Sequence, residues 1–565
     1  MRYTQNINLP IVEDNDLYSK EINNLAFEKI DEEIQGLADI VETLDSPENS
    51  IADIKKDIND IKSDVVDINE QLDTIVQINF VEYGADKTGT IDNTQIINNI
   101  INKFSEKVLV TVPKGNYLIN NNINIPSNIS FKFDVSGAFK TGKNVKVTIN
   151  GNVYAGNHTI FIGDGLVDIH LSDTPITLSW YSGNSFNEKW NKIRQTLEKW
   201  RSYELIVPKP YPNQEGAKQL SETDTNWWAW KLTEPWVLDD NSNQAIIYMY
   251  GELTCEGIVS TGLLIDDVEK PENIVFPHGI TIRGTNNTDN YFSTGMEIRG
   301  CARLLFNGKV DIQYCNYGLI MGGSNQKREI GQTYFDYLHI AFIKNRHIII
   351  EGGEKPVIGN RFRDIVLERV INDNQDCITI KGNCKNNIFD CIQYLTGTDD
   401  GTGKDARDLI IIQSTDKGYP IANEIRKVYG ANNTGCGVKI GDLSNGVQNK
   451  VEDTIIGYIN CIGGTGIDIN YCKGTRLICA SNRAMTHRIR SNAEYSMLTI
   501  GNRSGNIVDE GSFTLINNLV NVGKTNELPN TIGSKIGNLV RCDGKIYLRV
   551  SETGNASSDF ILLSN

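Results

Sequence analysis

The chain has 565 residues, 39% of them hydrophobic and 22% charged, with 50 glycines, 14 prolines and a formal net charge of −16. This composition supports a sizeable core and excludes global disorder. The acidity excludes a general nucleic-acid coat, which needs basic surface, and otherwise serves solubility.

In chain order, the opening MRYTQNINLPIVEDND has neither a basic n-region nor an apolar h-region, so no signal peptide is expected. No run reaches the ~18 apolar residues of a membrane span, so no membrane partner is expected. Residues 1–45 carry only a weak beat, Ile30, Ile34, Leu37, Val41 and Leu44, and read as an attachment segment with a helix. Ser46-Pro47 interrupts that helix.

Residues 46–79 are different. Ile51, Ile54, Ile58, Ile61, Val65, Ile68, Leu72 and Ile75 are spaced 3, 4, 3, 4, 3, 4, 3, with Lys55, Lys56, Asp57, Asp60, Lys62 and Asp64 between them. So narrow an apolar stripe predicts a coiled-coil stalk. Isoleucine at both core positions disfavours a parallel dimer and favours three or four strands.

The beat stops at Phe80. Tyr83-Gly84-Ala85 and Thr88-Gly89-Thr90 read as turns, and Asp92, Asn93 or Thr94 can cap a helix whose apolar face is Ile97, Ile100, Ile101 and Phe104. VLVTVPKGNYLI then reads as strand, turn, strand. Residues 81–119 resemble the opening of pectate-lyase-like right-handed β-helices, with Lys87-Thr88-Gly89 where that family more often has Asp-Gly. ITLSWYSGNSFNEKWNKIRQTLEKWRSYELIVPKPYP follows the same order of elements and is either a degraded second copy or a coincidence.

From about residue 300 the chain repeats. Asn360-x-Phe362, Asn386-x-Ile388, Asn423-x-Ile425 and Asn449-x-Val451 lie 26, 37 and 26 residues apart, and the long interval contains LTGTDDGTGKDARD, as one looped-out insertion would. Short alternating runs between the markers predict a solenoid of stacked coils. The expected fold is therefore mainly β: a right-handed parallel β-helix over 80–510, preceded by a trimeric α-helical coiled coil, with a small β tip at 511–565. Rod plus β-helix resembles bacteriophage tailspikes and tail appendages, in particular the trimeric appendages by which small podoviruses of Gram-positive hosts adsorb. The resemblance implies a homotrimer in the virion, assembled in the host cytoplasm. It also implies docking on phage tail or connector proteins through residues 1–45. The eleven cysteines, all between Cys255 and Cys542 and without paired C-x-x-C motifs at zinc-finger spacing, read as buried thiols, as such assembly would leave them.

Two groups of residues carry candidate chemistry. NDNQDCITIKG, residues 372–382, resembles the N-G-D-D-C-I-A-I-K strand of polygalacturonases, with Asp376 at the second acid and Gln375 in place of the first. The Gly-His-Gly and Arg-x-Lys motifs of those enzymes do not appear. Glu368, Asp373 and Asp376 are the catalytic candidates, weighed against a structural turn; Asp399, Asp400, Asp405 and Asp408 read as a solvated acidic loop. All seven tryptophans lie between 180 and 236. Trp190 and Trp200, at helical spacing with Ile193 and Leu197, read as core. In DTNWWAW, adjacent Trp227 and Trp228 cannot both face one core in a strand, so Trp227, Trp228 and Trp230 are the carbohydrate-binding candidates, with packing against a neighbouring chain as the alternative. The six histidines show no H-E-x-x-H spacing, and neither metal nor cofactor is expected.

The expected function is adsorption to a host cell-wall polymer, a teichoic acid or polysaccharide, with or without cleavage of it by glycoside or phosphodiester hydrolysis. The alternative is a free or virion-borne polysaccharide hydrolase or lyase whose main role is depolymerisation.

Overall fold

The computed structural model describes residues 75–170, 175–197, 202–221, 223–239, 245–268, 274–285, 289–370, 375–395, 407–430, 435–441, 450–461, 465–480, 486–499 and 507–510. Short pieces at 2–3, 10–11, 35, 58–62, 515–517, 520–521, 539–542, 545–549 and 560–564 complete it. The heptad region lies outside the described residues except for 58–62, which are helical.

One compact unit comprises Met1–Gly183 and Glu188–Leu197. Val76–Asn79 pairs in parallel with Val108–Val112, which pairs with Ile129–Phe133 and then with Val153–Tyr154. A second sheet runs Thr88–Asp92, Gly115–Ile119, Gly137–Thr141, Phe161–Gly163, and a third Ile123–Ile125, Lys146–Ile149, Leu166–Ile169. Successive circuits of the chain add strands to the sheets in turn, which makes this a parallel β-helix. Its first described strand is Val76–Asn79. Alternation explains the strands: in Ile129–Phe133, Ile129, Phe131 and Phe133 point inward while Ser130 and Lys132 do not. The rings of Phe131 and Phe133 meet Phe139 edge-on at 5.2 and 4.9 Å.

The helix Thr94–Lys103 buries Ile97 and Ile100. Its first turn is held by Asp92, whose Oδ1 accepts from the Thr94 backbone N–H at 3.0 Å. Asn93 instead clamps the loop before it, accepting from Asp86 N–H at 2.6 Å and donating to the Asp86 carbonyl at 2.9 Å. Thr88-Gly89-Thr90 is strand rather than turn, because Thr88 lies in register with Asn116. The chain then runs through the helix Phe186–Arg194 to the strand Tyr203–Val207, the element order expected of the second segment.

The other unit comprises Asn184–Asn187 and Glu198–Asn565. Here the chain alternates between two long parallel sheets. Leu304–Gln313, Tyr334–Ile343, Arg361–Val370, Ile388–Leu395 and Glu424–Gly430 are successive neighbours in one. Cys315–Gly322, Arg346–Ile358, Ile378–Lys385, Ile410–Gln413 and Cys436–Ile440 are successive neighbours in the other. An antiparallel hairpin, Ala217–Gln219 with Trp228–Leu232, interrupts the early coils. Near the C-terminus Leu539–Cys542, Lys545–Arg549 and Phe560–Ser564 pair antiparallel.

Each coil turns into the first sheet through a residue with left-handed backbone: Gln332, Gly359, Asn386, Ala422, Asp453, Gly474 and Tyr495, with φ between 49° and 73°. The next residue points inward. At three successive coils it is asparagine, and the side chains form a buried ladder. Asn360 Nδ2 donates to Asn387 Oδ1 at 2.9 Å, and Asn387 Nδ2 to Asn423 Oδ1 at 2.9 Å. The amides replace the turn hydrogen bonds that buried backbone requires. The repeat marker is therefore Asn387-x-Phe389, one residue along from the expected Asn386-x-Ile388, and Thr454 takes the place sought at Asn449, which lies outside the described residues. Two residues further on, Phe276, Phe306, Phe335, Phe362 and Phe389 stack at 4.8–5.1 Å, one ring per coil. That is the spacing of neighbouring strands. Adjacent ladder asparagines are 27 and then 36 residues apart, so the longer coil holds the inserted segment, whose residues 396–406 lie outside the description.

Cys255, Cys301, Cys315, Cys377, Cys384, Cys436 and Cys472 are buried thiols. Burial pushes the thiols of Cys301 and Cys384 up to about 12, which makes them inert. Two histidines are also fully enclosed. Burial pulls His347 and His487 down to about 4, so both are neutral in the fold. Unfolded histidine titrates near 6.5. Below that pH the unfolded chain takes up protons that the fold refuses. The two histidines' contribution is complete above about pH 6.5 and is lost as pH falls toward 4. Melting measured at pH 7.5 and pH 4.5 should show a clear acid loss, and His347→Phe should reduce it. An identical acid loss in that variant would remove His347 from the account.

Candidate functional site

On Leu304–Gln313 the even side of the strand is core: Val310 and Ile312 are fully buried. Lys309, Asp311 and Gln313 therefore project from the outer face. Register places Asp311 beside His339, and Gln313 beside Ala341 and then Glu368. These residues meet. His339 Nδ1 lies 2.8 Å from Asp311 Oδ1, and its Nε2 lies 3.4 Å from Glu368 Oε1. Lys309 Nζ sits 3.0 Å from the other Asp311 oxygen, and Gln313 Nε2 donates to Asp311 Oδ1 at 2.9 Å. Burial alone would raise the Asp311 carboxyl. The contacts from His339, Gln313 and Lys309 outweigh it and hold the group well below the usual carboxylate range.

The line continues across earlier coils. Arg283 Nη1 donates to Gln313 Oε1 at 2.8 Å. Its Nε lies 3.5 Å from Glu252 Oε2, an ion pair rather than a hydrogen bond. Glu252 Oε2 is 3.4 Å from Trp227 Nε1, and the Arg283 guanidinium lies 5.1 Å from the Trp227 ring centre. Trp227, Glu252, Arg283, Gln313, Asp311, His339 and Glu368 thus form one connected outer-face line.

This arrangement offers two kinds of chemistry. The indole and the charged groups can stack on and hydrogen-bond a sugar. The carboxylates flanking His339 can move protons. A neutral imidazole has one N–H, so filling both contacts takes a second proton on the ring or on Glu368.

The sequence-derived candidates fall in different places. Glu368 and Trp227 lie on the line. Trp228 is half-buried nearby in the chain, its Nε1 donating to the Thr225 carbonyl at 2.6 Å. Trp230 has no exposed surface and donates to the Pro208 carbonyl at 2.6 Å; its ring lies against Gly251, where a Cβ would come within 2.9 Å of it. It is a core residue, as Trp190 is, while Trp200 lies outside the described residues. Asp373 also lies outside them.

Asp376 is 1% exposed and precedes a strand of the other long sheet, Ile378–Lys385. Arg407 binds it through both oxygens at 2.8 and 2.7 Å, and Arg346 adds a contact at 3.2 Å. This is how a carboxylate is held to fix a turn. Asp376→Asn should cost about 1–3 kcal/mol of stability by removing the buried charge that Arg346 and Arg407 share. Denaturant unfolding measures it, and unchanged stability with lost polymer cleavage would return Asp376 to the reaction.

Sequence reasoning missed Asp311, His339, Glu252 and Arg283. The available signal was Lys309-x-Asp311-x-Gln313, three polar residues at strand period between buried apolar ones.

Residues 77–194 match the family model described as rhamnogalacturonase A/epimerase, pectate lyase-like. No curated protein matches the chain. Among solved structures, ORF18 of Geobacillus virus E2 is 11% identical, with 89% of this chain and 68% of that one covered at a TM-score of 0.20. The Streptococcus pneumoniae surface protein and adhesin PfbA is 12% identical, covering 78% of this chain and 100% of that one at 0.22. A Yersinia enterocolitica family 28 exopolygalacturonase is 10% identical, covering 78% of each at 0.14. Likenesses this distant carry no argument about activity. The family match spans the 81–119 motif and the parallel coils that run from Val76 to Ile169.

Proposed function

We propose that this chain is a bacteriophage tail appendage that adsorbs to a repeating cell-wall polymer, a polysaccharide or glycosylated teichoic acid, and lays it along the outer face from Trp227 to Glu368. The observation that carries this reading is the connected line itself. It crosses successive coils of a β-helix, as an extended polymer would, and combines an indole with donors and acceptors. The heptads at 51–75 support three chains in register, and three equal sites suit a ligand made of equal units. The N-terminal segment is then the docking element toward the tail, and assembly takes place in the host cytoplasm.

A second reading adds hydrolysis of the polymer. It is favoured by the imidazole held between Asp311 and Glu368. In this reading Glu368 gives its proton to the leaving oxygen, and a neutral His339, oriented by Asp311, takes the proton of the attacking water. Of the trio Glu368, Asp373 and Asp376, this reading uses Glu368, with Asp311 and His339 as its partners.

The experiment incubates the purified full-length protein with walls of candidate hosts, with and without their glycosyl decorations, and measures retention and released fragments. Retention that follows the decorations supports adsorption. Equal retention on both walls contradicts it.

A further inference from the structure

A second feature lies at the opposite, N-terminal ends of the strands in the same long sheet. There a cleft of about 470 Å³ is lined by Glu452, Asp453, Lys473, Gly474, Arg476, Tyr495, Ser496 and Met497. It is built from three consecutive coils at the left-handed corner. Asp453, Gly474 and Tyr495 are equivalent corner residues, with φ of 49°, 73° and 50°. Aspartate and glycine tolerate that conformation; a bulky tyrosine there is an outlier that costs free energy and marks a site worth explaining. Tyr495 is also 55% exposed. Its neighbours on the corner are anchored. Gly474 N–H donates to the Glu494 carbonyl at 3.1 Å and Asp453 N–H to the Lys473 carbonyl at 2.9 Å. Glu494 is paired with Lys450 at 2.5 Å, which leaves it occupied.

The lining is balanced in charge. Glu452 and Asp453 supply acceptors, and Lys473 and Arg476, both exposed, supply donors. Equal numbers of each give no net attraction for an anion. They do match hydroxyl groups, each of which donates and accepts, and an exposed phenol ring matches the apolar face of a pyranose.

We infer that this cleft is a separate binding subsite for a neutral pyranose unit, stacked on Tyr495 and hydrogen-bonded by Glu452, Asp453, Lys473 and Arg476. The inference rests on the reading of the chain as a glycan-binding protein, and places a second contact at the corner, apart from the outer-face Trp227–Glu368 line. A polymer or a neighbouring decoration held at both places would gain by multivalency.

The test is saturation-transfer NMR on the full-length protein with glucose, galactose, N-acetylglucosamine, N-acetylgalactosamine, glucuronic acid and glycerol phosphate as probes, against three variants. Tyr495→Gly removes the ring but suits the left-handed backbone, so it should melt no lower than wild type. Tyr495→Gly and Arg476→Gln should each weaken binding of at least one neutral sugar about tenfold, while Lys114→Gln, at an exposed position of the other unit, leaves that binding unchanged. The inference is overturned if neutral-sugar binding is the same in Tyr495→Gly, if only the charged probes bind, or if no probe binds. Wall retention separates the two readings: loss in Trp227→Ala with none in Tyr495→Gly leaves the adsorption reading standing without this subsite.

Discussion

Glu368→Gln should cut release of soluble fragments from a susceptible wall polymer by about 10²–10⁴-fold, the usual worth of one positioned acid or base. Retention on the same polymer and the melting temperature should stay near wild type, because Glu368 sits at the rim and its side chain is about a third exposed (32%). Asp311→Asn should act on both properties. Asp311 is nearly buried and receives contacts from His339, Lys309 and Gln313, so its loss leaves several donors unmatched. Full fragment release by Glu368→Gln would remove this residue from the chemistry. If wild-type protein releases nothing from walls that retain it, the hydrolytic reading falls and the adsorption reading stands.

The second large effect concerns assembly. Ile54→Asp with Ile61→Asp puts charges at two consecutive d positions of the heptad stalk, where each isoleucine would face its copies. Sedimentation equilibrium should then change from a trimer mass to a monomer mass. Apparent affinity for intact walls should fall by about 10²–10⁴-fold, since the second and third contacts lose their high effective concentration. The parallel coils from Val76 onward bury their own core, so melting of the β-helix should change far less. A wild-type chain that sediments as a monomer or dimer would sink the trimer.

Much of the fold was legible because solenoid physics writes itself into sequence. A coil that cannot bury its own apolar face must repeat, and the inward Phe362 and the inward Asn360 and Asn423 announced the repeat. The register slipped at Asn386-Asn387 because two adjacent asparagines fit the marker. Only backbone geometry separates them: Asn386 takes the left-handed corner and Asn387 joins the ladder. The candidate site was less legible. Glu368 and Trp227 stood out by type and context, but they are joined through Glu252, Arg283, Gln313, Asp311 and His339, which are 25 to 31 residues apart from coil to coil. Such a line exists only in the stacking direction, which a single sequence does not display. Asp376 reads differently from sequence and from structure for the opposite reason. Its local context resembles an enzyme strand, yet the partners that define its role, Arg346 and Arg407, lie about one coil away on either side.

The most direct test of the central claim is equilibrium binding of the full-length protein to purified wall polymer, comparing wild type with Trp227→Ala combined with Arg283→Gln. These two residues form the upstream end of the outer-face line, and neither takes part in the proposed proton transfer. The account predicts at least about a tenfold loss of affinity, with a melting temperature close to wild type and a loss that persists at high salt. Unchanged affinity in that double variant would contradict it.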